Sequence, residues 1–195
     1  ASDRDGNIAW YGSAAAARTF ASPQVVDPQR WTWSTSADIN GDGVLDLVAA
    51  SSSGSGVAWF RNADEPGSFA FAQVVDSSAS SIHVVIAADI DADGDPDLVS
   101  ASPSENTVAW YANTDGLGTF RPAQVVTTTA QGVRSIIATD INSDGHMDLA
   151  SASPSDNTIA WYTNTDGLGT FGSAQVVTTT ALGVVSIVAA DINAD

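Results

Sequence analysis

Short apolar runs alternate with polar turns along the whole chain. In one representative stretch the runs cover residues 134–139, 148–153, 158–163 and 171–180, and the turns between them are rich in Asp, Asn, Gly, Pro and Ser. The runs are strand-length and rich in Ala, Val and Ile, and no segment keeps a helical period long enough to compete. The pattern predicts an all-β chain of short strands joined by hairpin-length turns.

Three markers recur in one register and identify a tandem repeat. An Ala-Trp pair followed by Tyr or Phe recurs with tryptophan spacings of 49, 51 and 51 residues, and Gln-Val-Val recurs with the same spacings. An aspartate-rich turn begins at Asp38, Asp89, Asp140 and Asp191, every 51 residues. Each full repeat therefore holds four predicted strands, with the aspartate turn between the first and the second.

Four antiparallel strands in a repeat of this length are typical of a β-propeller blade, since solenoid repeats are shorter. Both faces of a blade pack against neighbouring blades, which explains why apolar and polar positions alternate poorly within the strands. A β-sandwich is the alternative, but it does not place the same turn in every unit of a strict repeat. We expect an all-β propeller built of four-stranded antiparallel blades of about 51 residues each.

The repeat frame divides the chain into unequal units. They are a partial blade at 1–31, full blades at 32–82, 83–133 and 134–182, and a first strand with an incomplete aspartate turn at 183–195. The two incomplete units are complementary, so they either close a four-bladed ring by strand exchange or belong to a larger propeller. The larger propeller is preferred, because a blade without its second strand would leave open edges.

The aspartate turns share the form D-x-[DN]-x-D-G-x-x-D. Side-chain oxygens at positions 1, 3 and 5 converge where the chain coils around a point, and the glycine at position 6 takes a left-handed backbone conformation. Position 7 offers its carbonyl oxygen, and the aspartate at position 9 closes the cage. Such hard oxygen ligands predict Ca²⁺ rather than zinc or copper, and a mainly protein cage disfavours magnesium.

Three complete calcium sites are predicted, with a fourth incomplete one. The ligands are Asp38, Asn40, Asp42, Val44 and Asp46 in the first loop, Asp89, Asp91, Asp93, Asp95 and Asp97 in the second, Asp140, Asn142, Asp144, His146 and Asp148 in the third, and Asp191, Asn193 and Asp195 in the incomplete fourth. An EF-hand is excluded, because its position-12 glutamate would fall on alanine or serine and the flanking segments are strands. A metal-free Asx-rich hairpin is the alternative, which three intact copies in register disfavour.

These loops, with the Asp-Leu-Val or Asp-Leu-Ala that ends each of them, resemble the FG-GAP/VCBS repeat of integrin α-subunit propellers and of many secreted proteins. Phe171-Gly172 before a strand also resembles this family, and the Ala-Trp-Tyr followed by Asn-Thr-Asp-Gly-Leu-Gly-Thr-Phe is similar to its VCBS-type subgroup more than to the integrin one. The family's Gly-Ala-Pro is replaced by Ala101-Ser-Pro103 and Ala152-Ser-Pro154, and by Ser51-Ser-Ser in the first repeat, which weakens an integrin-like ligand inference. The resemblance implies a propeller and calcium, while functions within the family range over adhesion, sugar binding, scaffolding and attachment to hydrolases or lyases.

The charge of the chain follows from the loops. The formal net charge is -17, and 21 of the 23 acidic residues are aspartate, more than half of them in the aspartate turns. Without a cation these carboxylates repel one another, so folding is expected to be linked to calcium. The absence of cysteine excludes disulfides and Cys-ligated metals, six scattered arginines disfavour nucleic acid, and no apolar run predicts a membrane span.

The remaining aromatic and imidazole side chains carry little chemistry. His83 and His146 occupy non-equivalent repeat positions, and neither a nucleophile elbow nor a phosphate loop is present, so catalysis is not expected. The four repeating tryptophans are expected to fill the space between blades rather than stack on sugars. Trp31 and Trp33 do not repeat, which makes them the candidates for a unique contact.

The sequence predicts a non-enzymatic, extracellular, calcium-binding propeller module for adhesion, protein interaction or assembly within a larger protein. A carbohydrate-binding lectin propeller and the propeller of a secreted polysaccharide lyase or hydrolase are the alternatives. Calcium affinity in the extracellular range, on the order of 10⁻⁴ to 10⁻³ M, implies secretion or display at the cell surface. The expected partners are a protein or glycan at the surface and other blades or chains of the same assembly, with neither nucleic acid nor membrane insertion.

Overall fold

The computed structural model describes residues 7–11, 13–14, 19–20, 22, 24–28, 31–53, 56–62 and 68–190. Every regular element in these ranges is a β-strand, which confirms the all-β prediction. No helix within the described residues is long and apolar enough to cross a membrane.

The described residues form sixteen strands. In chain order they are β1 (Ile8–Trp10), β2 (Ser13–Ala14), β3 (Thr19–Phe20), β4 (Gln24–Asp27), β5 (Trp33–Ala37), β6 (Asp46–Ala50), β7 (Val57–Asn62), β8 (Phe69–Asp76), β9 (Val84–Ala88), β10 (Asp97–Ser102), β11 (Thr107–Tyr111), β12 (Gln124–Thr127), β13 (Ser135–Thr139), β14 (Asp148–Ser153), β15 (Thr158–Tyr162) and β16 (Gln175–Thr178).

The strands pair into three four-stranded antiparallel sheets in which sequence neighbours are also spatial neighbours. The sheets are β5-β6-β7-β8, β9-β10-β11-β12 and β13-β14-β15-β16, and two smaller sheets join β1 to β4 and β2 to β3. The first strands of the three large sheets begin at residues 33, 84 and 135, so the sheets repeat every 51 residues. The prediction of four-stranded blades with this period is confirmed.

The first strands of successive sheets lie side by side. β5 contacts β9 and β9 contacts β13, whereas the fourth strands expose valine side chains to solvent, namely Val74, Val125 and Val176. Each sheet therefore runs outward from a shared inner position, as the blades of a propeller do.

Both faces of a blade are apolar because a neighbouring blade covers each of them. Along β6 and β7, Val48 and Trp59 pack toward the following sheet, while Ala49 and Phe60 pack toward the preceding segment and Trp31. Side chains of a strand point alternately to the two faces. Because both faces are buried, the alternation of apolar and polar residues that marks a half-exposed strand is lost.

Two of the four repeating tryptophans fill the space between blades, as predicted for the set. Trp59 and Trp110 are buried, and their rings lie directly against Gly118 and Gly169 of the following blade. These two glycines also have φ values of 90° and 85°, a left-handed conformation that other residues resist. A Cβ at either glycine would collide with the tryptophan ring, so the contact between blades requires tryptophan on one side and glycine on the other.

Two strand predictions are wrong in detail. The run at 171–180 is a strand only over Gln175–Thr178, with Phe171 in an isolated bridge to Asn164. The turn before it is held by two backbone hydrogen bonds, from Thr165 to Thr170 and from Gly172 to Thr163. The chain therefore pairs with β15 only after this turn, from Gln175 onward. Residues 184–190, placed in the first strand of a further blade, form no strand, because no described strand pairs with them.

Candidate metal centre

Each complete aspartate turn joins the first and second strands of its sheet and folds around its own first carboxylate. Asp38 accepts hydrogen bonds from the backbone N–H groups of Asp42 at 3.0 Å and Gly43 at 2.8 Å. Asp140 accepts the equivalent bonds at 3.2 Å and 2.9 Å, and Asp89 accepts one from Gly94 at 3.1 Å. The glycines at position 6 have φ values of 84°, 95° and 89°, which confirms the predicted left-handed turn.

The aspartate at position 9 ties each loop to the end of the third strand. Both oxygens of Asp97 accept backbone hydrogen bonds, from Ile90 at 2.9 Å and from Asn113 at 2.8 Å. Asp46 and Asp148 are bonded in the same way in their own blades, and all three carboxylates are buried. Position 9 was predicted only to close the metal cage, and the structure gives it this additional structural role.

The second loop concentrates uncompensated negative charge. Burial raises the pKa of Asp97 to about 7, against the opposing effect of its two N–H donors, and the charges of Asp91 and Asp93 add to the rise. Burial, followed by the charge of Asp93, also raises the pKa of Asp91. Carboxylates that are hard to ionise together are strongly stabilised by a nearby cation.

Three carboxylates of this loop converge on one point. One oxygen each from Asp89, Asp91 and Asp97 lies within 4.8 Å of the others. Oxygens that ligate one Ca²⁺ ion at about 2.4 Å are no more than about 5 Å apart, so the spacing fits a shared cation. The Oδ1 atoms of Asp89 and Asp91 are buried, and within the described part of the chain neither has a hydrogen-bond partner. Carboxylate oxygens are the hard donors that Ca²⁺ prefers, so these three residues fit part of a calcium ligand set.

The first and third loops are arranged differently at positions 3 and 5. The amide of Asn40 donates to Asp42 Oδ2 at 3.0 Å, and Arg61 forms an ion pair with the same oxygen at 3.3 Å. In the third loop the amide of Asn142 donates to Asp144 Oδ2 at 2.8 Å. Among the described residues, the convergence of three carboxylates is therefore seen only in the second loop. The other ligands predicted for the first and third loops stay predictions.

Position 7 serves as a support for the neighbouring turn. The side chains of Asp95 and His146 lie against the backbone of Gly116 and Gly167, respectively, and Val44 is partly exposed. His146 is half-buried. The carbonyl ligation predicted for position 7 remains a prediction, and the incomplete loop at 191–195 lies outside the described residues.

Two buried asparagines, Asn113 and Asn164, were not predicted as part of the site. Asn113 donates its backbone N–H to Asp97 in its own blade, and its Nδ2 donates to the carbonyl of Ile39 in the loop of the preceding blade at 2.9 Å. Asn164 repeats both bonds 51 residues later. The signal was present, since each lies 24 residues after the first aspartate of its loop, at the start of the repeated Asn-Thr-Asp-Gly-Leu-Gly.

The two non-repeating tryptophans have different environments. Trp31 is buried, its ring meets Phe60 edge-on at 5.7 Å and its Nε1 donates to Asp27 at 3.3 Å. It covers the joint between the first partial unit and the following blade. Trp33 is 44% exposed, so it alone of the pair presents an aromatic surface to solvent. His83 is half-buried, and this burial lowers the pKa of its imidazole.

Successive four-stranded sheets, each carrying an aspartate loop between its first two strands, define a β-propeller repeat module. The chain belongs to the family described as FG-GAP-like repeat, which matches residues 38–100, 89–151 and 140–195. Each match spans from one aspartate loop into the next, in agreement with the 51-residue period. The family membership expected from the motifs is confirmed.

Comparison with known proteins adds a fold relative. No curated protein matches the chain. Among solved structures, the chain is similar to a lectin of Agrocybe aegerita described as specifically recognising non-reducing terminal N-acetylglucosamine, with a TM-score of 0.63 and 21% sequence identity. The similarity covers 91% of this chain and 48% of the lectin chain, so this chain spans about half the length of that protein. At this identity the likeness supports the propeller fold alone.

Proposed function

We propose that this protein is a calcium-stabilised β-propeller module that serves extracellular adhesion, protein interaction or assembly within a larger protein, without catalytic activity of its own. The observation that carries the calcium assignment is the pair of buried, unpartnered oxygens of Asp89 and Asp91 beside Asp97. In a protein, such atoms need a cation or a proton to offset the cost of burial.

The second loop is the best-formed site, and Asp89, Asp91 and Asp97 would hold the ion there. A bound Ca²⁺ ion would neutralise the mutual repulsion of the loop carboxylates. Asp97 then transmits the order of the loop to the third strand through Asn113, because one carboxylate serves both segments. The proposed role of the metal is therefore structural, holding the hairpin between the first and second strands in one conformation.

The interaction role rests on the surface that the blades display. The fourth strands expose Val74, Val125 and Val176, and the turns before them expose Leu117 and Leu168. Rows of apolar side chains at matching positions of successive blades offer a repeated contact surface for a protein partner. An extracellular location follows from the weak affinity expected for loops of this type, since only a calcium-rich compartment would saturate them.

The direct test is calcium binding by isothermal titration calorimetry on the full chain after removal of metal. We expect up to three ions to bind, with affinity of about 10⁻³ M or tighter, and with magnesium binding more weakly. The Asp93→Asn substitution should weaken binding at the second site, and Asp156→Asn, an exposed aspartate of another turn, is the matched control. Absence of binding at millimolar calcium would disprove the assignment.

A glycan-binding function is the second candidate, favoured by the fold similarity to the Agrocybe aegerita lectin and by the exposed ring of Trp33. Aromatic rings of this kind stack on sugar faces. We expect a glycan array to show specific binding of the protein to some glycans, and the Trp33→Ala substitution to lower this binding signal at least tenfold. Leu182→Ala, at another exposed apolar side chain, is the control and should leave the signal unchanged. Trp31→Ala is unsuitable because Trp31 is part of the core. An array without specific signal would remove this candidate.

A further inference from the structure

Asn113 connects two aspartate loops that belong to different blades. Its backbone N–H donates to Asp97 Oδ1 at 2.8 Å, and its Nδ2 donates to the carbonyl of Ile39 at 2.9 Å. Its Oδ1 accepts the N–H of Gly118 at 3.0 Å, which holds the amide plane in one orientation. The side chain is fully buried, so water does not compete for these bonds.

Asn164 makes the same set of bonds one blade further on. Its backbone N–H donates to Asp148 Oδ1 at 2.8 Å, its Nδ2 to the carbonyl of Ile90 at 2.8 Å, and its Oδ1 accepts the N–H of Gly169 at 3.0 Å. It is also fully buried. The arrangement is therefore a feature of the repeat rather than of one blade.

Together these bonds form a continuous relay through all three complete loops. Within each loop the isoleucine at position 2 donates its N–H to the position-9 carboxylate, and its carbonyl in the first two loops accepts from the asparagine of the next blade. In order, the relay runs through Asp46, Ile39, Asn113, Asp97, Ile90, Asn164, Asp148 and Ile141. A single hydrogen bond of this relay joins residues that lie 74 positions apart in the chain.

The relay passes through a predicted metal ligand in each loop. Asp97 is one of the three carboxylates that converge in the second loop, and it is also the acceptor for Asn113. A cation on Asp97 would fix the carboxylate that orients Asn113, and Asn113 in turn orients the peptide of Ile39 within the first loop. Order imposed on one loop thus lowers the cost of ordering its neighbour, which is the physical basis of positive coupling.

We propose that Asn113 and Asn164 are positioning residues that couple cation binding in successive blades, so that occupation of one loop raises the affinity of the adjacent loops. This inference rests on the proposed calcium function. A coupling of about fivefold in affinity per neighbouring pair lies at the lower end of the range measured between linked sites. The propeller would then gain calcium, and rigidity, over a narrower concentration range than three independent loops.

The test follows each loop separately by NMR during a calcium titration of the full chain. The backbone amides of Gly43, Gly94 and Gly145 sit at position 6 of their loops and report on their own sites. Asp93→Asn weakens the second site without removing any bond of the relay. We expect it to weaken binding in the first and third loops by about fivefold as well.

Cutting the relay identifies its route. In an Asn113→Ala background, Asp93→Asn should no longer affect the first loop but should still affect the third, because Asn164 is intact. Asn164→Ala should give the opposite result. The control is Asn106→Gly, which removes the hydrogen bond that Asn106 Oδ1 accepts from the N–H of Gly132, away from the aspartate loops. Asn106 has a positive φ, which glycine tolerates, so the backbone of the control is unchanged.

The outcomes separate the two proposals. If none of the glycine signals responds to calcium, the proposed calcium function fails. If all three respond but Asp93→Asn leaves the first and third loops unchanged, the function stands and the coupling is overturned. The coupling is also overturned if Asn113→Ala leaves the effect on the first loop intact. Should Asn113→Ala not fold, Asn164→Ala and the wild-type background with Asp93→Asn still decide the matter.

Discussion

Removal of calcium is expected to lower the melting temperature of this protein by about 10 °C or more. A single site at a free calcium concentration about 100-fold above its dissociation constant stabilises the folded state by about 2.7 kcal/mol. In a domain of this size each kcal/mol corresponds to about 2–4 °C, so the second loop alone accounts for about 5–10 °C. The first and third loops add to this where they bind.

The measurement is thermal unfolding by calorimetry or circular dichroism in excess EDTA and in saturating calcium. Magnesium at the same concentration is the control for ionic strength and divalent charge, and it should restore little of the loss. Asp93→Asn should melt lower in calcium than the wild type and respond less to the chelator. An identical transition with and without EDTA would contradict a structural role for the metal.

The second large effect is expected from Asp97→Ala, which should destabilise the protein by about 4 kcal/mol even without metal. The substitution leaves the buried N–H groups of Ile90 and Asn113 without acceptors. Each unsatisfied buried donor costs about 1–3 kcal/mol. Because Asn113 also bonds to Ile39 in the loop of the preceding blade, the loss is expected to spread beyond the second loop.

Asp115→Ala is the matched control for this substitution. Asp115 also accepts two backbone hydrogen bonds, from Leu117 at 2.9 Å and Thr119 at 3.1 Å, but it lies in an exposed turn. Water can replace its oxygens there, so the expected cost is below about 1 kcal/mol. Denaturant unfolding of both variants with EDTA present measures the difference. Equal losses would show that burial of the Asp97 carboxylate is not the source of the effect.

The same carboxylate makes the metal-free protein sensitive to pH. The pKa of Asp97 is raised to about 7 in the folded chain from 3.8, so the folded state binds the proton more tightly than the unfolded state does. Its contribution to stability is therefore fully present below about pH 4 and is lost as the pH rises to about 7. In EDTA, unfolding free energy should fall across this window, and Asp97→Asn should flatten the fall.

Much of the architecture was predictable from local pattern. The aspartate turns, the Ala-Trp pairs and the Gln-Val-Val segments recur at one spacing, and a repeat whose unit cannot bury its own apolar faces must stack on its neighbours. The bounds of β10 and β14 follow from the apolar run after Asp97 and Asp148. The fourth strand was placed too early because the closed turn at Phe171 cannot be told from a strand by apolar pattern alone.

The candidate site was predictable in kind but not in detail. The motif predicts where the loops lie in the chain, the left-handed conformation of their glycine and their oxygen ligands, because these depend on residues a few positions apart. The converging set includes position 3, which is Asp91 in the second loop and Asn40 or Asn142 in the others, so this difference is readable from the sequence. The sequence alone did not reveal that the Asn40 and Asn142 amides donate to Asp42 and Asp144, or that Arg61 pairs with Asp42. Nor did it show that position 9 is bonded to the third strand.

The sequence by itself determined an aspartate-rich loop repeated on an all-β scaffold, because turn chemistry and strand pairing are encoded within each 51-residue unit. Tertiary structure alone decided how the units communicate. Asn113 and Ile39 are 74 positions apart, and their hydrogen bond exists only because one blade packs against the next. A buried amide acquires its partners from the packing around it, so its role is absent from any local motif and emerges when the blades stack.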